Sequence, residues 1–231
     1  MNPFSWSRRL AAVASLGDEN RRRLFGFVAA AERAVSRDEA AGSLGLARST
    51  ASFQLDRLVH DGLLAVEFRK IGGKEGPGSG RPAKLYRAAV QEVSASVPER
   101  SYDLAAELLV TAIEQSAADG GSAREALLRA ARARGGTAAE SAGGDFGAVL
   151  AGEGYLPADD GEGGLVLLNC PFHRVAQGHP GVVCAMNGAF LAGAASGCGL
   201  APERVEALDI AELRARDDAT AAQCCARIRP A

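Results

Sequence analysis

The chain has 231 residues, of which 47% are hydrophobic, so a core can form without disulfide staples. No stretch of 18 apolar residues occurs, and no apolar run precedes a small-residue cleavage site near the N-terminus, so we expect a cytoplasmic protein with no membrane partner. The net charge of −2 is unevenly divided, because residues 1–90 carry 15 Lys and Arg against 9 Asp and Glu, and the remainder carries 11 against 19. A basic N-terminal third coupled to an acidic remainder predicts nucleic-acid binding in the first part.

The N-terminal third contains four predicted helices. Asp18 is the expected N-cap of the second helix, and Ser36 and Glu39 have the spacing of a capping box that opens the third. Gly62 is the expected C-cap of the fourth, which follows a tight Gly45-Leu46 turn. Two short helices joined in this way form a helix-turn-helix. The four predicted helices cover Leu10–Leu16, Arg21–Ala31, Ser36–Leu44 and the segment from Ala47 to Gly62.

The fourth helix turns a polar face outward, and such side chains can reach base edges and phosphates from the major groove. Phe53 either fills the core or packs on a thymine methyl group, and the core is the favoured interpretation. The candidate DNA-binding residues of the helix pair are Ser36, Arg37, Arg48, Ser49, Thr50, Ser52, Gln54 and Arg57.

A β-hairpin is predicted directly after this helix, with strands over Leu63–Lys70 and Ala83–Arg87. The glycine-rich segment between the strands is not a phosphate-binding loop, because no helix opens after it. A hairpin in this position is a wing, whose cations contact phosphates and whose tip can enter a narrow minor groove. The candidate wing contacts are Lys70, Lys74, Arg81 and Lys84.

Four stretches of residues 10–90 together resemble the winged-helix regulators of the ArsR/DeoR-like group. The likeness is greatest to the SufR-type repressors of iron–sulfur cluster biosynthesis, because the wing ends in the sequence GRPAKLY. The stretches are Leu16-Gly17-Asp18, Val35 to Ala41, Leu55 to Leu64, and Gly80 to Tyr86. The resemblance implies a winged helix-turn-helix that binds double-stranded operator DNA.

Residues 90–150 are Ala-rich and helical in pattern, with the pairs Gly120-Gly121, Gly135-Gly136 and Gly143-Gly144 expected to separate the helices. The first helix is a candidate dimerisation surface, since regulators of this kind pair to match two operator half-sites. Covering the C-terminal region is an equally good role for these helices. The apolar positions of the first helix are Tyr102, Ala105, Leu108, Leu109, Ala112 and Ile113.

All five cysteines lie in the last 62 residues. A strand over Leu165–Asn169 is expected to end at Cys170, and a strand over Cys224–Arg229 is expected to pair with it. Alternation along the second strand puts Cys224 on the apolar inner face and favours it as a ligand over Cys225. The cysteines are Cys170, Cys184, Cys198, Cys224 and Cys225.

Thiolates suit both zinc and iron–sulfur clusters, so the residue types alone leave the cofactor open. Zinc would take a Cys3His set made of Cys170, His173, Cys184 and Cys224. A cluster would take three cysteines together with His173, a carboxylate or a water. Cys198 and Cys225 are the secondary candidates. No Ser/His/Asp arrangement or pair of carboxylates at helical spacing stands out, so an enzyme is not expected.

The resemblance to SufR-type repressors resumes at Asn169-Cys170-Pro171-Phe172-His173, at Cys184 and at the terminal Cys-Cys pair. It implies an iron–sulfur cluster of the [4Fe-4S] type, held by Cys170, Cys184 and a third cysteine. It also implies a homodimeric repressor that controls cluster-assembly genes. The alternatives are a zinc-binding winged-helix metalloregulator and a redox or cluster-carrier protein with a DNA-binding domain.

We therefore expect an α+β protein with three parts. They are a winged helix-turn-helix over residues 1–90, a helical connector and dimerisation region over 91–150, and a small cysteine-rich α+β sensor domain over 151–231.

Overall fold

A computed structural model describes residues 5–69, 82–208, 213 and 223–230. The chain is an α+β protein with helices and small antiparallel sheets, and it divides into two compact units, Met1–Ala95 and Ser96–Ala231. The boundary expected at residue 150 lies inside the second unit, whose single core takes side chains from both sides of it, such as Leu108 and Ile228. No helix of the described part is long and apolar enough to cross a membrane.

Two helices of the first unit, α2 and α3, begin at side chains that cap them. The Asp18 side chain accepts a hydrogen bond from the Arg21 backbone amide at 2.9 Å, and Ser36 Oγ accepts one from the Glu39 amide at 3.1 Å. The Glu39 carboxylate in turn accepts from the Ser36 backbone amide, as a capping box requires, and it also pairs with Arg33 at 2.6 Å. The elements are α1 (Trp6–Ser15), α2 (Glu19–Ala29), β1 (Val35–Ser36), α3 (Arg37–Leu44), α4 (Arg48–His60), β2 (Leu64–Arg69) and β3 (Ala83–Ala88).

Glycines with positive φ end α3 and α4. Gly45 has φ of 65° and Gly62 has φ of 80°, a conformation that glycine adopts without strain. The Leu63 amide donates to the Leu58 carbonyl at 3.0 Å, which closes the end of α4 as a Schellman motif. The turn after Gly45 leads directly into α4, as the sequence predicted.

A three-stranded antiparallel sheet, in the order β1-β3-β2, covers this helical layer. Tyr86 lies opposite Val35 on one neighbour and Val66 on the other, and it is 2% exposed. The core beneath it is filled by α4 side chains such as Leu55 and Leu58. The expectation that Phe53 joins this core is wrong, because 69% of the residue is exposed.

The second unit packs helices against a four-stranded antiparallel sheet in the order β4-β5-β7-β6. A 3-10 turn over Pro202–Arg204 leads into β6. The elements of the second unit are α5 (Tyr102–Asp119), α6 (Ala123–Ser141), α7 (Phe146–Gly152), β4 (Pro157–Asp159), β5 (Leu165–Leu167), α8 (His173–Gly178), α9 (Pro180–Gly197), β6 (Val205–Ala207) and β7 (Ala226–Ile228).

The helices α6 and α9 approach each other through glycines. A Cβ atom added at Gly135 would lie 2.0 Å from the Phe190 carbonyl oxygen, and one added at Gly193 would lie 2.0 Å from the Arg132 carbonyl oxygen. The expected helix break at Gly135-Gly136 is therefore wrong, because α6 runs through both residues. These glycines serve close backbone packing, a tertiary role that local propensity does not reveal.

The predicted pairing of the two terminal strands is confirmed, with Leu165 opposite Ile228 and Val166 opposite Arg227. Both strands are shorter than expected, since β5 ends at Leu167 and β7 starts at Ala226. The cysteines therefore lie just outside the regular ladder. The hairpin joining β4 to β5 turns at Asp160, whose side chain accepts from the Gly164 amide at 2.8 Å.

The contact between α6 and α9 generates a prediction with a matched control on one helix. Gly135→Ala should destabilise the second unit by about 1–3 kcal/mol, because the new methyl group overpacks against backbone atoms. Gly136→Ala has no atom within 4 Å of the added Cβ and should instead stabilise α6 by up to about 1 kcal/mol. Urea denaturation of both variants measures the difference, and equal midpoints would contradict the close approach of the helices.

Candidate functional site

Three separate segments bring four of the five cysteines together. Cys170 follows β5 after two residues, and Cys184 lies in the second turn of α9. The Cys224 amide donates to the Leu167 carbonyl at 2.9 Å, and the Cys225 carbonyl accepts from the Leu208 amide at 2.7 Å. These backbone bonds hold the residues before β7 between its two neighbouring strands.

The sulfur atoms of this thiol group, defined as Cys170, Cys184, Cys224 and Cys225, are linked by hydrogen bonds in a row. Cys224 contacts both Cys170 and Cys225, and Cys225 also contacts Cys184. Cys224 is fully buried, and Cys184 is the partly exposed member. The structure thus places Cys225 in the same group as Cys170, Cys184 and Cys224, the three cysteines that the sequence favoured.

The hydrogen bonds divide the thiols by protonation. Hydrogen bonds to Cys170 and Cys225, together with burial, raise the pKa of Cys224, which keeps its proton and donates it. Hydrogen bonds from Cys184 and Cys224 lower the pKa of Cys225 to about 4. The hydrogen bond from Cys224 also lowers the pKa of Cys170, against burial and with help from the Arg100 charge. Cys225 therefore favours the thiolate form that ligates metals, and the shift at Cys170 has the same direction.

Buried polar residues surround the group. Asn187 Nδ2 on α9 donates to Cys224 Sγ at 3.2 Å, and the Tyr155 hydroxyl donates to Asn187 Oδ1. Burial and the nearby thiols raise the pKa of Tyr155, so its hydroxyl stays a donor. Sequence reasoning missed this pair, although Asn187 lies only one turn after Cys184 on α9; Tyr155 is fifteen residues before the first cysteine.

A second polar cluster fixes the strand end that carries Cys170. Asn169 is buried, and its Nδ2 donates to the Glu99 carbonyl at 2.9 Å and to the Gly154 carbonyl at 2.6 Å. Arg100 donates to Asn169 Oδ1 and, at 3.2 Å, to the Cys170 carbonyl oxygen. The backbone at Cys170 is therefore held from both sides.

The two remaining sequence candidates are His173, whose backbone amide donates to the Cys170 carbonyl oxygen at 3.1 Å, and Cys198. His173 begins α8, where its Nε2 is 3.0 Å from Gln177 Nε2. Cys198 caps the far end of α9, fourteen residues from Cys184, which is on the order of 20 Å along a helix. Burial and Asp145 raise the pKa of Cys198, which is the opposite of the shift at Cys170.

No group of three or more His, Cys, Asp or Glu side chains in the described residues has the arrangement of a metal site. The four sulfurs are joined pairwise, Cys170 to Cys224, Cys224 to Cys225 and Cys225 to Cys184. Their chemistry still fits a thiophilic group, since four thiols from three segments meet in a mostly buried place and at least one favours the thiolate form.

The candidate DNA-binding residues of the first unit are engaged by neighbouring side chains. Arg48 forms a two-pronged ion pair with Asp38 at 2.6 Å, and the hydrogen bond from Arg48 lowers the pKa of Asp38. Arg37 lies 3.3 Å from the same carboxylate. Ser36 caps α3, so its hydroxyl already accepts a bond.

Further along α4, Gln54 Oε1 accepts from Arg21 at 3.1 Å, and Arg57 lies 3.2 Å from Asp61. Ser49 is exposed, whereas Thr50 and Ser52 are partly buried. The remaining wing candidates Lys70, Lys74 and Arg81 lie outside the described residues.

Lys84 on β3 contacts Asp56 at 2.5 Å, and the Tyr86 hydroxyl donates to the same oxygen at 2.8 Å. Burial opposes ionisation of Asp56, but the bonds from Lys84 and Tyr86 outweigh it and lower its pKa. This contact ties β3 to α4. Sequence reasoning missed the role of Asp56, although a carboxylate on an otherwise cationic helix face was a usable signal.

Searches of family models, of curated proteins and of solved structures returned no match to this chain.

Proposed function

We propose that the chain is a DNA-binding transcription regulator, a repressor, whose operator affinity is controlled by an iron–sulfur cluster on cysteine thiolates. The DNA-binding part of this proposal rests on the position of α4, which follows α3 after a glycine turn and precedes a β-hairpin. Its inner face is apolar and its outer face carries Arg48, Ser49 and Arg57. This order of elements supports a winged helix-turn-helix in which α4 is the recognition helix.

The charge of the first unit supports double-stranded DNA as its partner. Residues 1–90 have six more basic than acidic side chains, 15 against 9. An excess of cations attracts the phosphate backbone, and the polar face of α4 then supplies contacts to base edges. Lys84 lies on the hairpin and would contact phosphates from there.

The thiol group supports the cofactor half of the proposal. Cys170, Cys184 and Cys224 would hold the cluster, with Cys225 or His173 as the fourth ligand. When bound, the cluster would supply a redox-responsive group at this place. The protein's own part is to carry ligands on three segments, so that a bound group ties α9 to the ends of two strands. Loss of this link between α9 and the ends of the two strands is the step that would change operator affinity.

Dimerisation is the third part of the proposal, and the partner is a second copy of the chain. Helix α5 buries Leu104 and Leu108 against its own unit but leaves a second apolar stripe at 36–63% exposure, formed by Leu109, Val110 and Ile113. Two copies joined along this stripe would present two recognition helices to two half-sites. A stripe of this kind has the i, i+1, i+4 spacing that suits packing against another helix.

A zinc-binding regulator is the second candidate, because a buried set of thiols also suits zinc. A redox or cluster-carrier protein that keeps a DNA-binding domain is the third. Control of cluster-assembly genes rests on the resemblance to SufR-type repressors alone.

The cofactor proposal predicts a brown protein after anaerobic purification, with iron and acid-labile sulfide. Cys170→Ser and Cys184→Ser should lose the colour and the iron, because a serine hydroxyl is a poor ligand for an iron–sulfur cluster. Cys198→Ser is the matched control and should keep both, since Cys198 lies far along α9. A colourless protein with one zinc per chain would contradict the cluster and favour the zinc regulator.

The recognition-helix proposal predicts that Arg48→Ala weakens specific operator binding on the order of tenfold or more in a gel-shift titration. Arg33→Ala is the matched control, because Arg33 makes a similar fork with Glu39 but lies outside α4. Cys170→Ser protein without cofactor should still bind DNA, at an altered affinity. Unchanged operator binding by Arg48→Ala would contradict the placement of the recognition helix.

The dimer proposal predicts that Ile113→Glu sediments as a monomer where the wild type sediments as a dimer, because a buried carboxylate opposes association. Leu156→Glu adds the same charge at a residue of the same unit that is 56% exposed, and it should leave the dimer intact. Dissociation by both variants, or by neither, would count against α5 as the interface.

A further inference from the structure

The outward face of α4 carries one large apolar side chain. Phe53 is 69% exposed, and the residues one turn before and after it, Ser49 and Arg57, are exposed as well. Helical residues four apart share a face, so the phenyl ring lies in the same stripe as these polar groups. Phe53 does not contribute to the core below α4, where Leu55 and Leu58 are fully buried.

An exposed phenyl ring among polar side chains on a helix that enters a groove has one suitable target. The ring cannot donate or accept an ordinary hydrogen bond, so it does not read the donors and acceptors of base edges. In the major groove thymine alone of the four bases presents a methyl group, and apolar side chains including Phe contact it. Contact would also remove the ring from water.

We infer that Phe53 is a specificity-determining residue that contacts the C5-methyl group of a thymine in each operator half-site. This inference rests on the proposed function, since it assumes that α4 is the recognition helix. Arg48 and Ser49 lie one turn closer to the N-terminus of α4 and would contact the bases on one side of that thymine. Arg57 lies one turn further on and would contact the opposite flank or its phosphate.

The experiment begins with selection of bound duplexes from a random-sequence library by the full-length protein. Each thymine of the selected sequence is then replaced singly by uracil, which removes only the methyl group. Wild type should bind one uracil-substituted position in each half-site roughly fourfold more weakly, the effect of one methyl group leaving an apolar contact. Phe53→Ala should bind the thymine and uracil duplexes equally at that position.

Two further variants separate this role from a general loss of binding. Phe68→Ala removes an aromatic ring with the same exposed fraction, 69%, from β2 on the hairpin, and it should keep the methyl preference. Phe53→Leu keeps an apolar tip and should retain part of the preference.

The outcomes distinguish the inference from the function on which it rests. Selection of no duplex by the wild type would overturn the proposed function and this inference together. If a sequence is selected, and Phe53→Ala loses as much affinity as the wild type when thymine is replaced by uracil, the inference alone would be overturned. Loss of dimerisation in Phe53→Ala, measured by sedimentation, would assign the ring to self-association and would likewise overturn it.

Discussion

The backbone contact between α6 and α9 is the constraint on which the second unit depends. Gly135 and Gly193 leave no room for a side chain between the two helices, so α9 sits at a fixed depth in the core. Most of α9 from Val183 to Ala195 is buried as a result. Packing this close has little freedom to shift, since protein interiors yield only in discrete steps. The helix thereby presents Cys184 and Asn187 at fixed positions to the residues that precede β7.

The thiol group joins three segments of the second unit, which are the residues after β5, the residues before β7 and α9. In the thiol form, Cys224 keeps its proton as a hydrogen-bond donor, and the sulfur contacts supply the link between β5, β7 and α9. A metal or cluster would take over that link, but only after Cys224 and the other protonated ligands release their protons. Cofactor binding would therefore compete with protons, while Asn187 and Tyr155 would remain to orient the site from the core side.

Local signals predicted the four helices and the two long strands of the first unit, but they missed β1 and the exposure of Phe53. Asp18, Ser36, Gly45 and Gly62 each act where they were expected. The second unit depended on tertiary contacts that no local pattern contains. By local propensity Gly135 predicts a helix break, and only its close packing against the backbone of α9 explains a glycine inside α6.

The thiol group shows the same limit of sequence reasoning. Strand alternation predicts Cys224 inward and Cys225 outward. Because β7 starts only at Ala226, both cysteines precede the strand and alternation does not apply to them. Three-residue strands such as β6, and the short helix α8, carry too few residues for a periodic signal. Their placement follows from the sheet that the longer elements form.

The acidic residues around α4 bear on how a recognition helix of this kind would choose its site. Arg48 and Lys84 each face a carboxylate, Asp38 and Asp56, so the excess positive charge of the first unit is partly neutralised where α4 would meet DNA. Phosphates at a random sequence must compete with those carboxylates for the same cations, which lowers non-specific affinity. A matching sequence adds base contacts that a random one lacks. The same competition would lower the affinity at both kinds of site, so the difference between them, which is what specificity measures, would come from the base contacts.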